Sequence, residues 1–128
     1  MTNEPTGYDP DHGPDEAWWA ELGELDRIDE VEEQHRQEGY RGPEPRLHAI
    51  MHAIVESQIL EGEATVRSTL ERLRREGLDR HDAVHAIGSV LAPIVFELAQ
   101  REKLSEPMSL YLEGLRRLTA EGWLADNA

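Results

Sequence analysis

Four histidines and one glutamate stand at spacings that bring metal ligands together on helices. His48, His52 and Glu56 follow one another at intervals of four residues. His81 and His85 repeat the same interval. An α-helix turns about 100° per residue, so side chains four apart form one ridge, and two imidazoles placed in this way can hold the same ion. We therefore predict a metal site that bridges two helices and uses five side chains: His48, His52, Glu56, His81 and His85.

The types of ligand restrict the ion that such a site would hold. The chain has no cysteine, and imidazole and carboxylate ligands without thiolate suit divalent transition metals. We expect zinc or iron, as one or two ions. Glu56 would be a fifth ligand or a base that acts on metal-bound water. In a site with two ions, His48 and one of Glu97, Glu106 or Glu113 would complete the ligand set. A catalytic site of this kind would support metal-assisted hydrolysis or, with iron, oxygen chemistry.

Two other interpretations of the same residues stay open in the sequence. In the first, the five side chains form a structural polar network in which Glu56 pairs with a protonated histidine. The protein would then be a non-enzymatic helical interaction module whose acidic N-terminal helix docks on a basic partner. In the second, the histidines meet across a homodimer. Whether the protein is an enzyme is left undecided, because the sequence identifies no substrate or reaction.

Hydrophobic periodicity predicts that helices position these side chains. No stretch alternates polar and apolar residues at period two, so we expect no strand. The predicted fold is all-α, a compact bundle of four to five helices with a flexible acidic N-terminal segment. Breaks between helices and helix caps are expected at 39–45, Gly62, Gly77, Asp79 and Ser105.

Most of the negative charge lies near the N-terminus. Residues 1–44 carry −11 of the total charge of −14. We expect a disordered acidic tail over 1–14, an acidic amphipathic helix and linker over 15–44, and a helical metal-binding domain over 45–128. Because a negative field repels phosphate groups, nucleic acid and anionic membranes are not expected partners. The expected partners are a metal ion and either a second copy of the chain or a basic protein.

The location of the protein is also predicted from composition. The first fifteen residues lack the basic start and the apolar stretch of a signal peptide. The most apolar stretch, over 84–98, is short and interrupted for a membrane span. We therefore expect a cytoplasmic protein.

Two segments together are similar to a known family. Residues 47–58 followed by residues 77–88 resemble small helical bacterial proteins of unknown function. In that family a His-x3-His-x3-Glu-x-Gln helix precedes an Arg-His-(Glu/Asp)-Ala-x-His-Ala helix. The resemblance covers about residues 45–101. It implies a shared site at the five predicted residues and implies no particular reaction.

Two further resemblances concern the metal site alone. His52-x3-Glu56 with His81-x3-His85 is partly similar to hemerythrin, a helical bundle that holds two irons through histidines and carboxylates. The similarity covers those four positions, and the chain has no histidine after His85. The segment His-Asp-Ala-Val-His at 81–85 resembles the His-Glu-x-x-His helix of zinc peptidases. Asp82 occupies the position of the glutamate in that motif, and its shorter side chain reaches less far toward a metal-bound water.

Overall fold

The computed structural model describes residues 7–101 and 106–126, and within these ranges it contains α-helices and no strand. The predicted all-α class is therefore confirmed. Seven helices are present in the described part of the chain, where four to five were expected. In chain order they are α1 (Glu16–Glu21), α2 (Glu24–Gln37), α3 (Pro45–Glu61), α4 (Ala64–Arg75), α5 (Arg80–Arg101), α6 (Pro107–Arg117) and α7 (Ala120–Asp126).

Two of the seven helices arise because the acidic helix predicted within 15–44 is broken in two and because a short separate helix, α7, follows α6. Gly23, in extended conformation, is the N-cap of α2 and separates it from α1. Near the other end of the chain, the Thr119 hydroxyl accepts a hydrogen bond from the backbone N–H of Gly122 at 3.0 Å. Side-chain oxygens at such positions satisfy the free N–H groups of a new helix and so compete with continuation of the old one.

The internal breaks lie where the sequence predicts them. Pro45 occupies the first turn of α3, and Gly62 ends that helix in a left-handed conformation with a φ of 84°. The Asp79 carboxylate accepts a hydrogen bond from the backbone N–H of Asp82 at 2.7 Å and so caps the start of α5. The predicted cap at Ser105 lies outside the described residues, as do residues 1–6 of the predicted tail.

Two apolar clusters hold the helices together. The larger one joins α3, α4, α5 and α6 through buried side chains that include Met51, Val55, Leu73, Ile87 and Leu115. The smaller one joins the N-terminal segment and α2 to α3 through Tyr8, Trp19, Val31, Ala49 and Ala53. The smaller cluster contains residues from both sides of the predicted boundary at residue 44. The N-terminal helices therefore pack directly on the predicted metal-binding domain. Helix α3 contacts both α2 and α5, so the three helices that carry the clustered histidines are neighbours.

Residues 7–14, which belong to the expected disordered tail, lie against the helices. Tyr8 and Pro10 are buried. Gly13 has a φ of +83°, and a Cβ atom on it would lie 2.7 Å from a guanidinium nitrogen of Arg80. Glycine is therefore the residue that both the backbone conformation and the close approach of Arg80 require. The physical cause of this packing is Tyr8, whose ring enters the smaller apolar cluster.

Helix α5 is the longest helix in the described part of the chain. Over Arg80–Gln100 it is long and apolar enough, by length and composition, to cross a membrane. The apolar stretch noted in the sequence, 84–98, covers only part of this helix. The core helix of a globular protein passes the same test, and α5 packs against α3, α4 and α6. Its length and composition are therefore a weak indication of a membrane location.

Candidate metal centre

Five histidines from three helices lie together where α2, α3 and α5 meet. Helix α2 contributes His35, α3 contributes His48 and His52, and α5 contributes His81 and His85. Neighbouring ring centroids are 4.4–5.9 Å apart. This group is termed the histidine cluster. The structure thus brings together all four histidines predicted from the sequence and adds His35.

Four members of the histidine cluster can offer nitrogen atoms to a single ion. One ring nitrogen from each of His35, His48, His52 and His85 lies within 4.8 Å of the other three. Zinc–nitrogen bonds of about 2.0–2.1 Å place tetrahedral ligands about 3.4 Å apart, so the four nitrogens would move closer together on binding an ion. His81 contacts the rings of His35, His52 and His85, but its nitrogen atoms are outside this set of four.

The hydrogen bond of His35 fixes which of its nitrogens is free. Its Nδ1 lies 2.9 Å from the backbone carbonyl oxygen of Val31. Because a carbonyl only accepts, Nδ1 must carry the proton, and the Nε2 of a neutral ring then keeps its lone pair. This Nε2 is buried and has no hydrogen-bond partner among the described residues. A histidine that donates through one nitrogen to a carbonyl is in the usual arrangement of a metal ligand.

Tyr8 orients His52 in a similar way. The Tyr8 hydroxyl donates a short hydrogen bond to the Glu56 carboxylate, and its oxygen lies 3.3 Å from Nδ1 of His52. With the hydroxyl proton directed at Glu56, the Tyr8 oxygen accepts from the Nδ1–H of His52. The Nε2 of His52 then holds a lone pair, and it is buried without a hydrogen-bond partner in the described part of the chain.

The other two histidines of the set of four, His48 and His85, face each other. The Nε2 atoms of His48 and His85 are 3.0 Å apart. The ring of Tyr40 stacks on His48, with centroids 4.6 Å apart and planes inclined by 23°. This stacking holds the His48 ring against the cluster. Two lone pairs cannot bond to each other, so one of the two nitrogens carries a proton unless an ion lies between them.

Burial favours the neutral form of four of the clustered histidines, His35, His48, His52 and His85. It lowers the pKa of His48 to about 4 and that of His85 to about 3, and neighbouring imidazoles lower both further. Burial also lowers the pKa of His35, and it lowers that of His52 well below the ordinary value. Metal binding requires unprotonated imidazole. The lowered pKa values therefore favour the unprotonated rings that metal binding needs.

Glu56 lies beside the histidine cluster and is engaged with other groups. It is fully buried, and Arg80 binds it in a bidentate manner, with Nη2 2.7 Å from Oε1 and Nη1 2.8 Å from Oε2. Burial opposes the charge on Arg80, but the hydrogen bonds and charge interactions with Glu56 and Tyr8 together outweigh this effect, so the pKa of Arg80 is raised. Arg80 also donates to the carbonyl oxygen of Pro10 at 2.9 Å. The carboxylate thus orients Tyr8 and neutralises Arg80.

The carboxylates proposed for a second ion lie elsewhere in the described part of the chain. Glu106 is exposed, and Glu113 forms an ion pair with Arg117 at 2.6 Å. Neither of these, nor Glu97, belongs to the group of donor atoms around the histidines. Among the described residues, the group of donor atoms that could hold an ion therefore consists of histidine nitrogens.

Two residues of the centre, His35 and Tyr8, are missing from the sequence prediction. A sequence signal for His35 exists, because it continues the apolar stripe of Ile28 and Val31 at helical spacing. Tyr8 stands in a stretch rich in proline, glycine and aspartate, where composition gives no sign of burial.

No family model, curated protein or solved structure matches the chain. The functional interpretation therefore depends on the geometry of the histidine cluster and its surroundings.

Removing the hydroxyl of Tyr8 should weaken metal binding. In Tyr8→Phe the ring remains in the apolar cluster, but His52 loses the oxygen that fixes its proton on Nδ1. Loss of a group that orients a metal ligand lowers affinity about 10–100-fold. The measurement is a competition titration with a chromophoric chelator. Tyr111→Phe is the control, because Tyr111 is also buried and its hydroxyl donates to Gln58. Equal affinities in the two variants would contradict the role of Tyr8.

Proposed function

We propose that the protein binds a divalent transition metal ion through His35, His48, His52 and His85. The observation that carries this proposal is the approach of four ring nitrogens from three helices to within 4.8 Å of one another. Two of the rings, His35 and His52, use Nδ1 in hydrogen bonds and bury an unpartnered Nε2. This combination is what a metal site requires and what an ordinary polar network avoids.

The ligand set favours borderline metals over hard cations. Neutral imidazoles suit zinc, iron(II), cobalt, nickel and copper(II), whereas calcium and magnesium prefer oxygen. We infer zinc or iron as the ion. His81 lies against three of the four ligating rings, where it would take part in binding a second ion. With an open coordination position, the ion would activate water for hydrolysis or, as iron, react with oxygen.

The structural-network alternative finds less support in the geometry. It requires Glu56 to pair with a protonated histidine, but both oxygens of Glu56 accept hydrogen bonds from Arg80. It also leaves the Nε2 atoms of His35 and His52 buried without a partner, and each such group costs about 1–3 kcal/mol. Metal coordination would satisfy both atoms.

Several further expectations accompany the proposal. The family of small helical bacterial proteins that residues 45–101 resemble would share the part of this centre formed by His48, His52 and His85. We also propose a cytoplasmic location. The acidic N-terminal residues would contact a basic protein or a second copy of the chain.

Elemental analysis by plasma mass spectrometry tests the proposal directly. Tag-free protein, purified without chelator, should contain one or two equivalents of a single transition metal. His35→Ala should lose that metal, whereas His12→Ala should retain it, because His12 is exposed and pairs with Asp9 at 2.7 Å. Metal-free protein that takes up neither zinc nor anaerobic iron(II) would overturn the proposal.

A further inference from the structure

A cleft of about 400 Å³ opens beside the histidine cluster. Three of the proposed ligands, His48, His52 and His85, lie at one side of it. Most of the remaining lining is apolar and includes Leu47, Met51, Ala92 and Trp123. His35 and His81 do not contribute to the lining. An ion held by the cluster would therefore meet solvent from this side, through a cleft with apolar walls.

The charge of the centre decides which chemical group this cleft would bring to the ion. Four neutral imidazoles leave the full double positive charge of the ion uncompensated. The nearest buried carboxylate, Glu56, is already neutralised by Arg80. Glu44 also lines the cleft but is exposed to solvent, which screens its charge. The ion would therefore bind an anionic ligand more strongly than a neutral one.

We propose that the cleft binds a small monocarboxylic acid, with its carboxylate on the ion and its aliphatic chain along Leu47, Met51 and Ala92. This inference depends on the proposed metal site. The size of the cleft is in the range of small-molecule sites, which are mainly apolar with a few polar groups that fix orientation. Four histidines leave a further coordination position in five- and six-coordinate ions, and zinc also expands to five. The carboxylate takes that position.

Cobalt(II) serves as the probe metal, because its visible absorption reports on its ligands. The cobalt-loaded protein is titrated with acetate, hexanoate and 1-hexanol. Each buried methylene group strengthens binding about fourfold, so hexanoate should bind at least tenfold more tightly than acetate. 1-Hexanol has the same chain but no charge, and it should leave the cobalt spectrum unchanged.

A pair of matched variants tests the position of the chain. Ala92→Leu fills the apolar side of the cleft about two helical turns from His85, so it should abolish the preference for hexanoate and retain binding of acetate. Ala99→Leu places the same side chain at an exposed position of the same helix, outside the cleft lining, and should retain the preference.

The outcomes separate this inference from the metal site itself. A protein that fails to bind cobalt, zinc or iron(II) would overturn both proposals. A protein that binds cobalt but shows equal affinities for acetate and hexanoate, or no spectral response to either, would overturn the carboxylate site alone. The same conclusion would follow if Ala92→Leu and Ala99→Leu behaved alike.

Discussion

Replacing His52 with alanine should lower the affinity of the protein for zinc at least 100-fold, the largest effect on binding that we predict. His52 is 2% exposed, and its ring contacts those of His35, His48 and His85. It therefore lies among the other three proposed ligands. A lost ligand should cost more than a lost orienting group, whose removal already costs about 10–100-fold.

The loss should be visible in the stability of the protein. An ion at 1,000 times its dissociation constant stabilises the folded state by about 4 kcal/mol. At the same zinc concentration, a variant with 100-fold weaker binding would gain only about 1.4 kcal/mol. Urea denaturation of wild type and His52→Ala, each with zinc and with chelator, measures both gains. Calcium serves as the control ion, because acidic surface groups would bind it and imidazoles would not.

His81→Ala is the informative comparison for this experiment. His81 has similar ring contacts, but its nitrogens are outside the set of four. The His81→Ala variant should therefore lose much less of the zinc-dependent stabilisation than the His52→Ala variant. Equal losses would show that His81 is a ligand of the same ion. A His52→Ala protein that is less stable but gains as much from zinc as wild type would support the structural-network interpretation.

Glu56→Gln should destabilise the metal-free protein by about 3–5 kcal/mol. The substitution keeps the volume of the side chain but leaves the guanidinium of Arg80 without its counter-charge, and Arg80 is 8% exposed. Breaking a buried ion pair by removing one partner has a cost of this size. The free energy of unfolding in urea, measured in the presence of chelator, gives the effect without any contribution from metal.

Two further variants determine the cause of that loss. Adding Arg80→Met to Glu56→Gln removes the unpaired charge and should recover part of the stability. Glu33→Gln should leave the free energy of unfolding almost unchanged, because its ion pair with Arg36 lies at the surface. If Glu56 instead ligates the metal, Glu56→Gln should weaken zinc binding and leave the metal-free protein stable.

The sequence predicts the helices and part of the centre because both depend on local spacing. Intervals of four residues place His48 with His52, and His81 with His85, on single ridges, and the structure joins both ridges in one cluster. The caps at Asp79 and Gly62 are likewise local signals. These features follow from backbone geometry alone.

The contribution of the N-terminal residues follows from tertiary packing and is not visible in local spacing. His35 reaches the centre because Val31, one turn before it, is buried against α3. Glu56 has the right interval for a ligand, yet Arg80, 24 residues later, takes both of its oxygens. A prediction from spacing cannot anticipate such competition, because it depends on which helices become neighbours.

The contacts of the centre also determine when it forms during folding. Tyr8 and His52 are 44 positions apart, His48 and His85 are 37 apart, and Arg80 and Pro10 are 70 apart. Contacts between residues so far apart carry a loop-closure entropy cost that contacts within one helix avoid, and a helix forms within about a microsecond. The nitrogen ligands therefore converge only after the helices have formed and docked. Capture of an ion by this centre marks the completion of folding and not its nucleation.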